Sequence, residues 1–401
     1  MAADAPTRQD DPPGQLTVFM VACEESGDRL GAALMRALAR QYPGSVRFAG
    51  VGGRDMAAGG LTSLFPIEQL AIMGFAEIPR LLPLIVRRLR EAASAAVSAQ
   101  PDVLVIIDSP SFTHRVARRV RARVPSTTIV DYVCPQVWAW RSHRARAMRS
   151  FIDQVLAILP FEPAALERLG GPPCTYVGHP LIERIDELRP SEADEARRRA
   201  DPPLLLVLPG SRSKEIGWLT GPFAQAIALT VERSGPVELV LPTVSHLADR
   251  LGQATSSWPA RPRIVVDERE KHVAFRQARA ALAASGTVTL ELALARVPMV
   301  AAYRVTAWEA WIARRLAQVP SVILANLILG RNAVPEFLQE DCIPEKLAQA
   351  LMPLLRDTPE RRLQIEAFGT LDGIMAIGTA SPGDRAAEAI LHTIARRRSN
   401  Q

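Results

Sequence analysis

The sequence predicts an α/β protein of two halves, each a parallel sheet with helices on both faces. Three observations carry this. Short apolar runs alternate with segments of helical spacing along most of the chain. The alternation lapses near residue 184 and restarts near residue 204. The length, 401 residues, exceeds what one hydrophobic core usually organises.

Each element follows from its residues. Leu16 to Ala22 is apolar apart from Thr17 and reads as a first strand. Behind it Leu30, Leu34, Ala37 and Leu38 repeat at helical spacing. Val103 to Ile107 is too short for a helix, largely β-branched, and ended by Asp108. Thr127 to Val133 and Val155 to Leu159 complete the first series. The second series is Leu204 to Leu208, Glu238 to Leu241, Arg263 to Val266, Ala280 to Ala284 and Pro298 to Ala302. Residues 184–203, RIDELRPSEADEARRRADPP, are charged, apolar-poor and proline-flanked, and are expected to link the halves. The expected organisation is 14–185, then 186–345, then a helical segment 346–401 with a basic tail, able to pack back on the first half.

Composition excludes several classes. Apolar content of 48% with 22% charge is globular rather than disordered. No run of 18 apolar residues occurs, and the stretch MAADAPTRQDDPPG lacks the basic and apolar regions of a signal peptide. Cys23, Cys134, Cys174 and Cys342 form no CxxC pair, so neither a disulfide framework nor a zinc site is expected. These features predict a cytoplasmic protein. The net charge of +6 is largely arginine, as in Arg115, Arg118, Arg119, Arg121 and Arg123. Such runs usually form solvated helix faces, and they also suit anionic partners. With aromatics at 5% and no RNA-binding signature, nucleic acid is not the expected partner.

In open α/β sheets ligands bind outside the carboxyl ends of strands, so the loops after strands are the candidates. In LPGSRSKEI, Ser211 and Arg212 follow a strand, and a planar, permanently charged guanidinium suits phosphate. A surface arginine after an ordinary turn reads the same way. In ASGTVTLELAL, Ser285 or Thr287 can cap a helix, Gly286 lets a group approach the backbone, and the helix N-terminus attracts anions. Glu291 lies one turn deeper, where a carboxylate suits ribose hydroxyls. A plain strand–turn–helix with a solvated glutamate is the alternative. Two such turns in one half reinforce each other, because a diphosphate needs several donors.

The first half has its own candidates. VACEESGDRLG places Glu24, Ser26 and Gly27 at a helix start, where the acidic residues suit sugar hydroxyls better than phosphate, and Asp28 as a first-turn residue. Asp108 ends a strand, Pro110 predicts an extended turn after it, and a carboxylate there can serve as a general base or simply cap the turn. Trp138, Trp140 and Arg141 form either core or a sugar- or acyl-facing surface. His179 lies between Gly178 and Pro180 without metal-ligand spacing. Residues 77–97, EIPRLLPLIVRRLREAASAAV, interleave apolar residues with arginines. They suit a core-facing helix or a membrane-surface one.

Together these stretches resemble the lipid-A-disaccharide synthase family, glycosyltransferases of the two-domain GT-B fold. The matching pieces are ACEESGDRLGAAL, FAGVGGRDMAAGGL, LAIMGFAEIPRLLP, PDVLVIIDSPSFT, YVCPQVWAWR, PFEP, YVGHPLIE, LPGSRSKEI, ASGTVTLELAL, VPMVAAYRV and LANLILGRNAVPEFLQ, in family order. The resemblance implies two Rossmann-like domains facing a central cleft. It implies an inverting transfer from UDP-2,3-diacylglucosamine to 2,3-diacylglucosamine 1-phosphate, giving a β-1,6-linked disaccharide and UDP. It places UDP on Ser211, Arg212, Gly286, Thr287, Glu291, Asn326 and Gln339. It places the acceptor near Glu24, Ser26, Gly27, Trp138 and Arg141, with Asp108 as base. No metal or other cofactor is implied. The implied location is peripheral, on the inner face of the inner membrane, and an oligomer is allowed. The sequence departs from the family pattern at Cys23, Glu25, Cys134, Gln136, Ser111 and Thr113, mostly on the acceptor side. A UDP-sugar 2-epimerase-like isomerase, or a non-catalytic nucleotide-sugar or lipid-binding protein, would share the fold.

Overall fold

The computed structural model describes residues 14–70, 78–258, 260–316 and 319–399. The chain divides into two units, one of residues up to Pro180 together with those from Ile377 onward, the other Leu181–Ala376.

The first unit is a seven-stranded parallel sheet in the order β3-β2-β1-β4-β5-β6-β7. Its strands are β1 Leu16–Ala22, β2 Val46–Val51, β3 Thr62–Ser63, β4 Val103–Ile107, β5 Thr128–Tyr132, β6 Gln154–Ala157 and β7 Cys174–Tyr176. β1, β4 and β5 are buried at every position, as strands covered on both faces must be. Leu34, Leu38 and Met35 of the Glu25–Gln41 helix pack on this sheet, and so do Ala386, Ala387 and Ile390 of the Pro382–Ser399 helix. That last helix is fixed by charge as well. Arg40 pairs with Asp384 at 2.6 Å, Arg397 with Asp153 at 2.5 Å and Arg398 with Asp102 at 2.8 Å. The basic tail is thus a docked helix end as far as residue 399.

The second unit is a six-stranded parallel sheet in the order β10-β9-β8-β11-β12-β13. Its strands are β8 Leu204–Leu208, β9 Glu238–Pro242, β10 Arg263–Val265, β11 Ala280–Ala284, β12 Met299–Tyr303 and β13 Glu336–Leu338. Phe223, Leu219 and Ile227 of the Ser213–Ser234 helix fill one face with Leu347 and Leu351 of the Pro344–Leu354 helix. The buried amide of Gln364 accepts from the Met299 N–H at 2.9 Å and donates to the Met299 carbonyl. It seats the Pro359–Met375 helix in this unit. Only the last helix of the expected 346–401 segment lies with the first unit.

The linker expectation is corrected. Within 184–203, Ser191 and Asp194 form a reciprocal cap on the helix Glu192–Arg199. Arg198 is buried and donates to the carbonyls of Arg276, Phe275 and Ala295. Asp194 accepts from Arg276 and Gln277. The charges that suggest a solvated linker serve to fasten this segment to the second unit. β2, β3, β7 and β13 escape the sequence reading because they are short or only half-buried, so their apolar pattern is weak.

Candidate functional site

Each sheet has one point where the strand order reverses direction, and each such point carries the expected loops. In the second unit it lies between β8 and β11, which pair in parallel. The turn bearing Arg212 leaves β8, and the turn Ser285–Thr287 leaves β11. Neighbouring strands lie about 4.8 Å apart, so the two turns are adjacent.

The first turn is organised by a residue the sequence reading passed over. The buried carboxylate of Glu215 accepts from the N–H groups of Ser211 at 3.2 Å and Arg212 at 3.3 Å, and pairs with the Arg212 guanidinium at 3.0 Å. Those two amides are therefore already engaged, and what the turn offers an anion is the guanidinium, 78% exposed. Gly210 is required here: its φ is +111°, and a Cβ would fall 2.4 Å from the Glu215 carboxylate.

The second turn differs from expectation in one respect. Neither Ser285 nor Thr287 caps the helix Thr287–Leu294, because Gly286 is the N-cap, and among the described residues no side-chain cap bonds the first amides. The Ser285 hydroxyl donates instead to the Val322 carbonyl at 3.0 Å. Gly286 is extended, and a Cβ there would meet nothing within 4 Å. Its use is therefore the open space and the uncapped helix start, which together form an anion-receptive end. Glu291 is held by Lys271 at 2.5 Å, a partner twenty residues upstream that no sequence spacing signals. Asn326 is buried and fully engaged, exchanging bonds with the Val334 backbone and donating to Glu336. Gln339, with its amide turned to match its partners, exchanges two 3.1 Å bonds with the Val305 backbone at the exit of β12. Both amides shape the loops rather than project from them.

In the first unit the reversal lies between β1 and β4. Glu24 to Gly27 follow β1, and Asp108 follows β4. Asp108 and Ser109 both adopt left-handed backbone, with φ of 53° and 46°. Pro110 does not extend the chain: it is the first residue of the helix Pro110–Arg123, where its fixed φ is favoured. The sharp reversal is made by the two strained residues before it, a cost that folds usually tolerate at functional positions. The Asp108 carboxylate accepts from the Ser109 N–H at 2.7 Å, and Thr113 donates to the Asp108 carbonyl at 2.8 Å. The Ser109 hydroxyl reaches Glu24 at 3.3 Å. Burial first, then Glu24 and Asp108, push the Cys23 thiol up, which places both carboxylates around it. Ser26 is exposed, and Gly27 is buried against Ile107. Behind Asp108 lies a pair not visible in the sequence: buried Asp131 on β5 meets His114 at 2.8 Å. Asp28 has a larger role than a first-turn residue, since its carboxylate accepts from the N–H groups of Gly53, Asp55 and Met56.

Trp138 is corrected from acceptor surface to core. It is buried, donates to Glu162 at 3.1 Å, and packs edge-on to Phe161. The exposed aromatic is Trp140, with the Arg141 guanidinium 4.1 Å from its ring centre. Burial pushes the Glu162 carboxyl up to about 8 and the His179 imidazole down to about 4. The signs oppose. Below its unfolded value near 6.5, His179 takes up a proton on unfolding, so stability is lost as pH falls towards 4. Glu162 releases one on unfolding above about 4.5, so stability is lost as pH rises towards 8. Of these two groups, Glu162 alone still acts above pH 6.5. Thermal unfolding of the first unit should move to lower temperature between pH 6.5 and 8, and Glu162→Gln should flatten that slope. An unchanged slope in the variant would refute the assignment.

Among the described residues no group of three or more His, Cys, Asp or Glu is placed to hold a metal, and no helix is long and apolar enough to cross a membrane.

The sequence profile of lipid-A-disaccharide synthetase matches residues 18–372. A lipid-A-disaccharide synthase of Nitrobacter winogradskyi is 60% identical over 377 residues, 94% of this chain and 95% of that protein. The chain belongs to the lipid-A-disaccharide synthase family. It is therefore a glycosyltransferase, a hexosyltransferase of lipid A biosynthesis. A more distant synthase, from Rhodospirillum centenum, is 42% identical over 95% of this chain and 96% of its own length. Solved structures show the fold. The calicheamicin glycosyltransferase CalG4 superposes with a TM-score of 0.58 at 16% identity, covering 95% of this chain and 99% of its own. A putative UDP-N-acetylglucosamine 2-epimerase from Listeria monocytogenes gives 0.58 at 15%, covering 96% and 98%. At such identities the epimerase likeness is one of architecture, GT-B, and the synthase family decides the chemistry.

Proposed function

We propose that the second unit binds UDP-2,3-diacylglucosamine and the first binds 2,3-diacylglucosamine 1-phosphate. The observation that carries this is the pairing of two anion-receptive turns, at Arg212 and Gly286, on adjacent strands at one sheet's reversal point. Arg212 and the uncapped start of the helix Thr287–Leu294 meet the diphosphate, with Ser211 and Thr287 beside them. Glu291, aligned by Lys271, meets the ribose hydroxyls. Asn326 and Gln339 act as positioning residues. On the first unit Asp108 accepts the proton of the acceptor 6-hydroxyl, with Glu24, Ser26, Gly27 and Arg141 around the acceptor sugar. The oxygen bonds to C1 of the donor as the C1–O bond to UDP breaks, so the configuration inverts to β. Arginine and a helix N-terminus stabilise the departing diphosphate. Incubation with both lipid substrates, with products read by mass spectrometry, tests this. Disaccharide 1-phosphate and UDP are the expected products. UDP-sugar binding without turnover would favour a binding protein instead.

Both substrates carry acyl chains, so the enzyme meets them at a membrane surface, the inner face of the inner membrane. The helix Ile78–Ala99 is the proposed contact on the first unit. Leu82 is 49% exposed, Leu84, Ile85 and Val86 are half-buried, and Arg87 and Arg90 are exposed. Residues 71–77 and the side chains of Ile78, Arg80 and Leu81 lie outside the described residues. Arg88 is not part of the contact, because it bonds Gln69 and Glu91 and covers the Phe65 ring. Changing Arg87 and Arg90 to Ser should reduce sedimentation with anionic vesicles at low salt and leave thermal stability nearly intact. Equal sedimentation of wild type and variant would remove this helix as the contact.

A further inference from the structure

A second apolar feature lies on the second unit. The helix Ala307–Leu316 starts just past β12. Its entry is capped: Thr306 and Glu309 bond each other, through Glu309 N–H to the Thr306 hydroxyl at 3.2 Å and Thr306 N–H to the Glu309 carboxylate at 3.0 Å. Within its first two turns the helix exposes two tryptophans to solvent, Trp308 by 66% and Trp311 by 48%. They stack on each other with ring centres 5.4 Å apart, and the Arg315 guanidinium lies 4.1 Å above Trp311. Beside them runs an open groove of about 650 Å³. Val305, Ala307, Ala310 and Trp311 give it apolar walls, and Gln339 and Arg315 border it.

Its position suggests the occupant. Val305 and Gln339 sit at the carboxyl ends of β12 and β13, and β12 pairs with β11, whose exit carries Gly286. The groove therefore opens one to two strand spacings, about 5–10 Å, from the turn at Gly286, and one spacing further from the turn at Arg212. A nucleotide can stack its base on one tryptophan, but it brings no chain to lie along an apolar trough. A donor with acyl chains on its sugar does, and those chains must leave water wherever the nucleotide is bound. We propose that the groove between Trp311 and Gln339 receives an acyl chain of the donor, with Trp311 as its wall. This rests on the donor assignment above.

The test compares UDP, UDP-N-acetylglucosamine and UDP-diacylglucosamine in detergent micelles, with wild type, Trp311→Ala and Ala307→Trp. The first variant removes a wall, and the second fills the groove from an exposed position. Both should weaken binding of the diacylated donor at least tenfold while UDP affinity stays within twofold. In wild type each methylene removed from the donor's chains should cost up to about fourfold, and the variants should flatten that dependence. Equal loss for UDP, or no loss for the diacylated donor, overturns the proposal. So does unchanged micellar donor binding with lost sedimentation on empty anionic vesicles, which would make the tryptophans a bilayer contact. Wild-type protein that binds UDP but makes no disaccharide would sink the assigned reaction and leave the groove measurement standing.

Discussion

Asp108→Asn is expected to lower the transfer rate by about 10²–10⁴ with little change in substrate affinity or folding. The geometry makes this a clean substitution. The Asp108 carboxylate accepts one 2.7 Å bond from the Ser109 N–H, and the amide oxygen of Asn can accept the same bond. Asn also tolerates the left-handed backbone that Asp108 adopts, better than most residues. What is lost is the basic oxygen alone. Single-turnover rates with saturating substrates isolate the chemical step. The Asp131–His114 pair behind the turn gives a comparison. Burial pushes the Asp131 carboxyl up, and His114 offsets part of that. Asp131→Asn should therefore act through positioning, with a smaller rate loss than Asp108→Asn. Turnover of Asp108→Asn within a few-fold of wild type, in a folded variant that binds both substrates, would remove Asp108 as the base.

The central strands were legible because complete burial on both faces leaves an unbroken apolar run, as in Leu204 to Leu208. The edge strands were not, since a three-residue strand with half-exposed side chains carries almost no pattern. The segment 184–203 misled for a related reason. Composition reports how many charges a stretch has, not whether they are paired, and Arg198 and Asp194 are paired inside the unit. At the candidate site the turns were legible as glycine and hydroxyl residues after strands. Their internal bonding was legible at one point only. Glu215 stands three residues past Arg212, the capping-box spacing at a helix start, and that spacing is the signal for its hold on the amides of Ser211 and Arg212. LANLILGRNAVPEFLQ does not say that Asn326 is spent on Val334 and Glu336, because those partners are set by how the loop folds back.

Arg212→Ala is expected to weaken UDP binding about ten- to a hundredfold, the range of one lost charge-assisted hydrogen bond. The turn's amides are held by Glu215 and do not depend on the arginine side chain, so the backbone should keep its shape in the variant. Glu215 also means that the guanidinium does not enter the site as an unpaired charge. Its bond at 3.0 Å to the carboxylate must be shared with or exchanged for the phosphate on binding. Glu215→Gln separates these effects. It leaves Arg212 less neutralised, which favours phosphate, but weakens the hold on the two amides. If Arg212 is the principal contact, Glu215→Gln should cost UDP affinity far less than Arg212→Ala. If the arrangement of the turn matters more, the order should reverse. Lys214→Ala serves as the control for a nearby exposed cation and should change affinity by no more than the general loss of one positive charge, which salt screens. Calorimetric titration of UDP into the four proteins at two ionic strengths gives all of these comparisons. Unchanged affinity in Arg212→Ala would take the diphosphate away from this turn and leave it to the uncapped helix start at Gly286.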